Sequence, residues 1–490
     1  MQRKLESRKL DIATGMEKSV VQIITEFYDI SYSAPWNISA HGRGTGSGFC
    51  VSYSDKTYIL TNAHCVHNAS SVHIRVRGHS DIIPVKVVWI VYECDLALLE
   101  FAETSFGEQL MPLHFGKSPQ KLDKIYVYGY PLGGLNVSVT KGIVNRVQII
   151  KYFHVMRSIA IQVDAPINFG NSGGPVISKD GSVVGVAFAG EDPSYTDNMG
   201  YIIPIVMIRY FFDSFTYALE NTKPQSGSEL RFSGLCDLGL VTQALHNEVL
   251  REYIELPTHA SGIMVTKIFP TGVSKDVLQE NDVLLKVDGK DIHNDGTMNL
   301  SHILERTNLG EEELVLYINY IHLKMPGDEI KLTIWRNKKE RELILTIQPY
   351  QYVIPKYEYQ SSLEYYVIMG LIFLPVSFPL IQEKFKEGQY TCHLVEMAKF
   401  YQAKKKDEQV IILSDIMGNE FNKEFPLGNY VLRSVNRIRI LNIEHLKKTI
   451  EAQRAKEPYL RFKFHHRGSA VILKSSDIKK YNSAIVSIFQ

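Results

Sequence analysis

From Val20 to about Tyr210 the chain alternates short apolar runs with glycine-bearing turns. YILT at 58–61, HIRVRG at 73–78, PVKVVWIV at 84–91, DLALLEF at 95–101, KIYVYGY at 124–130 and SVVGVAFAG at 182–190 have strand length and strand composition. Many short strands with few helical patterns predict an all-β barrel or sandwich. The polar stretch NTKPQSGSE at 221–229 carries Pro and Gly and reads as a linker. Beyond it, SGIMVTKIF, DVLLKVDG, EIKLTIWRN and ELILTIQ mix with short helical stretches to about residue 349. The last block, 350–490, opens rich in tyrosine, continues with QVIILSDIM and YVLRSVN, and carries a helical spacing in IEHLKKTIEAQ. Both later blocks therefore read as small α+β modules.

One run needs a membrane test. Residues 365–381, YYVIMGLIFLPVSFPLI, hold no charge. A spanning helix needs about 20 apolar residues, and Pro375 and Pro379 would break this one. Buried strands joined at the prolines are expected instead, and the rival is a membrane-anchored protein. The start, MQRKLESRKLDIATGMEKSV, has no apolar signal-type run, and Glu6, Asp11 and Glu17 depart from the acid-poor composition of a transit peptide. Residues 1–19 read as a flexible, solvated lead-in.

Composition narrows the class. The 490 residues carry 54 Lys+Arg against 53 Asp+Glu, a formal charge of +1, so no general electrostatic footprint for nucleic acid exists. Hydrophobic residues at 45% and charged ones at 22% exclude a disordered chain and a fibrous rod. Five cysteines, an odd number, do not make a disulfide framework, which favours a reducing or mildly oxidising compartment over secretion. Cys50 and Cys65 flank a short turn, so a bridge is conceivable, but free thiols are expected.

The most specific text is GNSGGPVI at 170–177. A serine among glycines permits a tight turn that exposes its hydroxyl. The backbone N–H groups of Gly170 and Ser172 can then converge on a developing oxyanion. Upstream, YILTNAHCV places His64 just after an apolar strand, and ECDLALLEF places Asp95 directly before another. Serine needs a base to become nucleophilic, and the imidazole needs a carboxylate to set its tautomer. The order His64, Asp95, Ser172 is the chymotrypsin order.

On these residues the chain resembles the Deg/HtrA (Do-like) serine proteases. The matching text is GTGSGF at 44–49, LTNAHCV at 60–66, CDLALL at 94–99, GYPLGG at 129–134, VTKGIVN at 139–145, GNSGGP at 170–175 and GYIIP at 200–204. The likeness continues into SGIMVTKIFPTG at 261–272 and NDVLLKVDGKDI at 281–292, which look like part of a PDZ domain. The final block looks like the second, divergent PDZ-like domain of plant-type members. The resemblance implies a mostly β chain: a chymotrypsin-like double β-barrel protease domain over 20–220, then PDZ-like α+β domains over 230–349 and 350–490. It implies an ATP-independent endopeptidase acting on unfolded or damaged proteins, with His64 as base, Asp95 as its orienter and Ser172 as nucleophile. The Gly170 and Ser172 amides would form the oxyanion hole, with Asn171 shaping the loop. A homo-oligomer, a trimer or a multiple of three, is implied too. Plant-type relatives imply mitochondrion, chloroplast or nucleus, and the mitochondrion is the expectation here.

Departures from the pattern bear on specificity. Trypsin-like enzymes carry an acid six positions before the serine, where this chain has Pro166. Ala187, Phe188 and Ala189, with Tyr201 and Ile202, are expected to wall an apolar substrate pocket that accepts small or medium aliphatic residues at P1. Asn171 stands where digestive proteases pair an aspartate with a freshly cut N-terminus, so no zymogen clipping is expected. Phe169 replaces a small residue or proline, and its bulk is expected at the mouth of the oxyanion loop.

The remaining features carry less. The glycines of HGRGTGSGF do not fit G-x-G-x-x-G and read as strand-start glycines. No Cys/His set has zinc spacing, adjacent His465 and His466 included, so neither metal nor cofactor is expected. Lys404, Lys405 and Lys406 read as a solvated loop. Gly262, Ile263, Met264 and Val265 are expected to form a PDZ peptide groove, through free amides and an open strand edge. EFYDISYSAPW at 26–36 either packs on its own barrel or, by the resemblance, joins subunits. The alternative function is a proteolytically weak or inactive PDZ-bearing chaperone or scaffold.

Overall fold

The computed structural model describes residues 15–78, 81–107, 110–132, 134–152, 156–190, 199–222, 230–299, 301, 314–350, 352–355, 363–389, 391–400, 403–405, 407–417, 428–465 and 470–486. Most of the expected lead-in and linker, the tyrosine-rich stretch at 356–362, Lys406 and His466 lie outside these residues. The chain divides into two compact units: 1–28, 41–268 and 272–350 form one, and 29–40, 269–271 and 351–490 form the other.

In the first unit, strict alternation builds closed sheets. Along Ala69–Val76, for example, Val72, Ile74 and Val76 are buried, while Ser71, His73 and Arg75 between them are only partly so. Six such strands, β1 (Val20–Ile30), β2 (Ile38–Tyr53), β3 (Lys56–Thr61), β4 (Ala69–Val76), β5 (Ile82–Val91) and β6 (Leu96–Phe101), close into a barrel in the order β1-β2-β3-β6-β5-β4. Six more, β7 (Lys124–Gly129), β8 (Ser138–Tyr152), β9 (Met156–Val163), β10 (Pro175–Ser178), β11 (Val183–Gly190) and β12 (Gly200–Pro204), close in the order β10-β11-β12-β9-β8-β7. This is the expected chymotrypsin-like pair of barrels. Closure leaves no strand edge to template aggregation. The glycines of HGRGTGSGF lie inside β2, as strand residues.

Each barrel has its own core, Ile23, Ile59, Ile74 and Leu99 in the first and Val127, Val144, Ile161 and Val176 in the second. A third cluster joins them to α1 (Ile205–Asn221) through Phe49, Trp89, Tyr130 and Phe211. Trp89 is buried there, and its indole N–H donates to the Ser214 hydroxyl at 3.2 Å, so the aromatic burial leaves no polar atom stranded.

The same unit contains an antiparallel sheet of strands 240–244, 263–268, 283–287, 329–336 and 339–346, in that order, with short helices at 248–253 and 317–322. A two-pronged pair locks it: the Arg336 guanidinium donates to both Asp282 oxygens at 2.7 and 2.6 Å. The expected groove at 262–265 is corrected by this sheet. Ile263 pairs with both Ala244 and Leu284, and Met264 with both Gln243 and Val283, so that strand has no open edge. The Gly262 amide already donates to Asn294 Oδ1 at 3.2 Å, and Ile263, Met264 and Val265 are buried.

The second unit is built on strands 366–368, 371–375, 411–416, 430–435, 459–464 and 470–474. The helical spacing in IEHLKKTIEAQ becomes helix Ile443–Arg454, with Ile443, Leu446 and Ile450 on its buried face and Asn442 capping its first turn. The uncharged run 365–381 forms two short strands and the start of helix Phe378–Lys386. Among the described residues no helix is long and apolar enough to cross a membrane. Residues 29–40, the connection from β1 to β2, also belong to this unit. Glu383 accepts hydrogen bonds from the Tyr32 amide at 2.6 Å and from the Ser31 and Ser33 hydroxyls, each at 2.7 Å. Burial alone would raise the Glu383 pKa, but these bonds hold it below the usual carboxylate value. EFYDISYSAPW is therefore split: its start completes β1, and Ser31–Ser33 dock on Glu383.

Candidate active site

Strand register brings the histidine and the aspartate together. β3 and β6 are antiparallel with Thr61 opposite Ala97. Three residues past Thr61 and two before Ala97 fall at the same end of the first barrel, and these are His64 and Asp95. His64 opens a 3-10 turn, and Asp95 takes a left-handed φ of 51° that re-aims its side chain before β6 begins. The Asp95 carboxylate, 1% exposed, accepts from the His64 amide at 2.9 Å and lies 2.7 Å from His64 Nδ1. A carboxylate only accepts, so Nδ1 carries the proton and Nε2 keeps its lone pair. Burial alone would lower the His64 pKa. The Asp95 charge outweighs it, joined by Cys65 and by the imidazole's hydrogen bonds with Asp95 and Cys65, and holds the imidazole well above the usual histidine value. Asn62, fully buried, donates from Nδ2 to the Asp95 carbonyl at 2.9 Å and steadies the turn.

Ser172 comes from the second barrel, in the turn between β9 and β10. Its hydroxyl donates to the Phe188 carbonyl at 3.3 Å, and its carbonyl accepts from the Ser47 amide of β2 at 2.8 Å. The Cys65 thiol, next in chain to His64, also points at that carbonyl, 3.6 Å away. Gly170 and Gly173 have φ of 98° and 85°, which glycine alone adopts without strain. The Phe169 carbonyl accepts from the Leu132 amide at 2.9 Å, and the Asn171 carbonyl accepts from the Gly174 amide at 3.0 Å. In a planar trans peptide the N–H points opposite the C=O, so these bonds aim the Gly170 and Ser172 amides the other way. Among the described residues those two amides donate to no protein group.

Two expectations change. The Ala187 and Ile202 side chains are fully buried in the second barrel's core and cannot wall a substrate pocket; they pair across β11 and β12 and point inward together. Phe188 and Tyr201 belong to the third cluster instead and are buried there too, their rings 6.3 Å apart. The Ala189 backbone lies in β11, but its side chain is outside the described residues. Phe169, beside Gly170 in that loop, is 88% exposed. Pro166 introduces no charge, and its carbonyl accepts from the Thr140 hydroxyl at 3.1 Å. All five cysteines are free, and burial pushes the Cys50 thiol up to about 12. No cluster among the described residues could hold a metal ion.

Residues 46–186 match the trypsin-like peptidase domain and residues 354–490 a PDZ domain. A putative protease Do-like 3, mitochondrial, from Arabidopsis thaliana is 35% identical over 450 residues, covering 91% of this chain and 74% of the relative. The chain belongs to the Do-like, or Deg/HtrA, serine protease family. This Do-like protease is accordingly a serine endopeptidase. It is also 31% identical to the Arabidopsis protease Do-like 2, chloroplastic, over 96% of its length and 73% of the relative's. In fold it is similar to the solved HtrA-type protease AlgW with decapeptide, at a TM-score of 0.50 and 21% identity, covering 70% of this chain and 99% of that one.

Sequence reasoning singled out His64, Asp95 and Ser172 but gave no role to Ser47, Asn62 or Cys65 of the Do-like protease. The signal was present, since all three sit inside GTGSGF and LTNAHCV. Their roles depend on contacts between strands distant in sequence, which no local pattern encodes.

Proposed function

We propose that this Do-like protease cleaves unfolded or damaged proteins through a His64–Asp95–Ser172 triad. His64 Nε2 takes the proton as Ser172 Oγ attacks the scissile carbonyl. The Gly170 and Ser172 amides bind the resulting oxyanion. His64 then returns the proton to the leaving amine as the C–N bond breaks, and water, activated by the same imidazole, releases the acyl group. Asp95 keeps the tautomer and stabilises the imidazolium. The observation that carries the reading is the 2.7 Å His64–Asp95 bond beside a serine turn with two undonated amides. Before attack Ser172 leaves the Phe188 carbonyl by a rotation of χ1, a change between staggered positions.

Specificity follows from charge. With Pro166 in place of an acid, a basic P1 residue finds no charge partner there, and the apolar text of FAG and GYIIP favours cuts after small or medium aliphatic residues. Cleavage products of casein, mapped by mass spectrometry, test this, and cuts following Lys or Arg would overturn it. Peptide tethering by the middle sheet falls to Leu240–Ala244, which among the described residues is paired on one side only. The family resemblance supports assembly in threes, and the relatives' names support a mitochondrial or chloroplast setting.

A further inference from the structure

We propose that Ser47 is a positioning residue for the oxyanion-forming turn, a role that rests on reading Ser172 as the nucleophile. Ser47 lies on β2 in the first barrel and is fully buried. Its hydroxyl donates to the Gly170 carbonyl at 2.6 Å and accepts from the Tyr130 amide at 2.8 Å. Its own amide donates to the Ser172 carbonyl at 2.8 Å, and its carbonyl accepts from the Thr61 hydroxyl at 2.7 Å. One residue thus holds both carbonyls that Leu132 and Gly174 leave unclaimed.

With all four carbonyls from Phe169 to Ser172 engaged, none is available to swing into the oxyanion site. The restraint matters because Gly170 sits at a φ of 98°, where the absence of a Cβ makes reorientation cheap. The Gly170–Asn171 peptide lies between the two oxyanion amides and is held at both ends, its amide by the Asn168 carbonyl at 3.0 Å and its carbonyl by Ser47. Serine suits the position because a hydroxyl donates and accepts through a single atom. The site is also tight: a Cβ on Gly129 would come within 2.9 Å of Ser47 Oγ. In Ser47→Ala the Gly170 carbonyl and Tyr130 amide are therefore both left buried and unpaired. Ser47 further ties the two halves of the chemistry together, since His64 and Asp95 come from its own barrel and Ser172 from the other.

The test uses full-length parent, Ser172→Ala and Ser47→Ala on a fluorogenic peptide taken from a mapped casein cut, with the matching peptide boronate as a tetrahedral, oxyanion-bearing probe. Ser47→Ala is expected to lower kcat about 10- to 100-fold, less than the roughly 10²–10³ lost with a hole donor itself. KM stays close to the parent's, and boronate affinity falls by the same factor as kcat/KM. A kcat equal to the parent's, or a kcat/KM loss without matching loss of boronate affinity, would overturn the role. If Ser47→Ala does not fold, Ser47→Cys, which keeps a weaker donor, is read by the same two outcomes. A parent that neither cleaves nor binds boronate, or a Ser172→Ala form that cleaves equally, sinks the nucleophile assignment instead.

Discussion

Replacing Asp95 by asparagine is expected to lower kcat on a peptide substrate about 10⁴-fold with little change in KM. The carboxylate only accepts hydrogen bonds, so it forces the His64 proton onto Nδ1 and leaves Nε2 free to act as a base. An asparagine amide can present its NH₂ to Nδ1, which then accepts, and the proton moves to Nε2, where it blocks attack. The imidazolium formed during reaction also loses its buried counter-charge. The pH profile separates this from a folding defect. A histidine base works when neutral, so kcat/KM climbs as pH rises through the imidazole pKa. In the parent Asp95 holds that pKa well above the usual value of about 6.5, which puts the acid limb at higher pH. In Asp95→Asn the raising effect of the Asp95 charge is gone and burial is opposed by Cys65 alone, so the limb moves down. A variant that kept the parent's limb, or lost less than tenfold in kcat, would show that Asp95 does not set the state of His64.

Gly173→Ala should both destabilise the fold and silence the site. Gly173 has a φ of 85°, and a methyl there would run into the Ser47 carbonyl and the Thr61 hydroxyl. Relief requires the turn to move away from β2, the strand that holds the Ser172 carbonyl. The left-handed backbone and the overpacking together predict a loss of roughly 2–5 kcal/mol. Displacing the nucleophile by about 1 Å is worth a further loss of about 10²-fold in kcat. Gly78→Ala is the control: φ is 82° there, but nothing lies within 4 Å of the added methyl. It should cost about 1 kcal/mol and leave kcat unchanged. Denaturant melts and peptide kinetics on both variants decide the matter, and equal effects at the two glycines would rule out the steric part of the argument.

The barrels were legible because their strands carry short-range alternation and their turns carry glycine. His64, Asp95 and Ser172 were legible because each sits in a distinctive local text. Pairing was not. SGIMV reads as an open edge, yet the strand lies between two neighbours, because sheet order is decided by residues 240–244 and 283–287 far away in sequence. Ala187 and Ile202 looked like pocket walls because apolar residues beside an active site and apolar residues in a core are the same text; the direction of the pleat separates them. The docking of Ser31–Ser33 on Glu383 links positions about 350 apart, and Ser47 takes its meaning from Gly170, 123 positions on.

The central claim, a Ser172-dependent endopeptidase of unfolded chains, is tested most directly by following casein without ATP, with purified parent beside Ser172→Ala. The account predicts that casein is lost with the parent and persists with the variant. Equal cutting by both, or persistence with both across a range of pH and temperature, would contradict it.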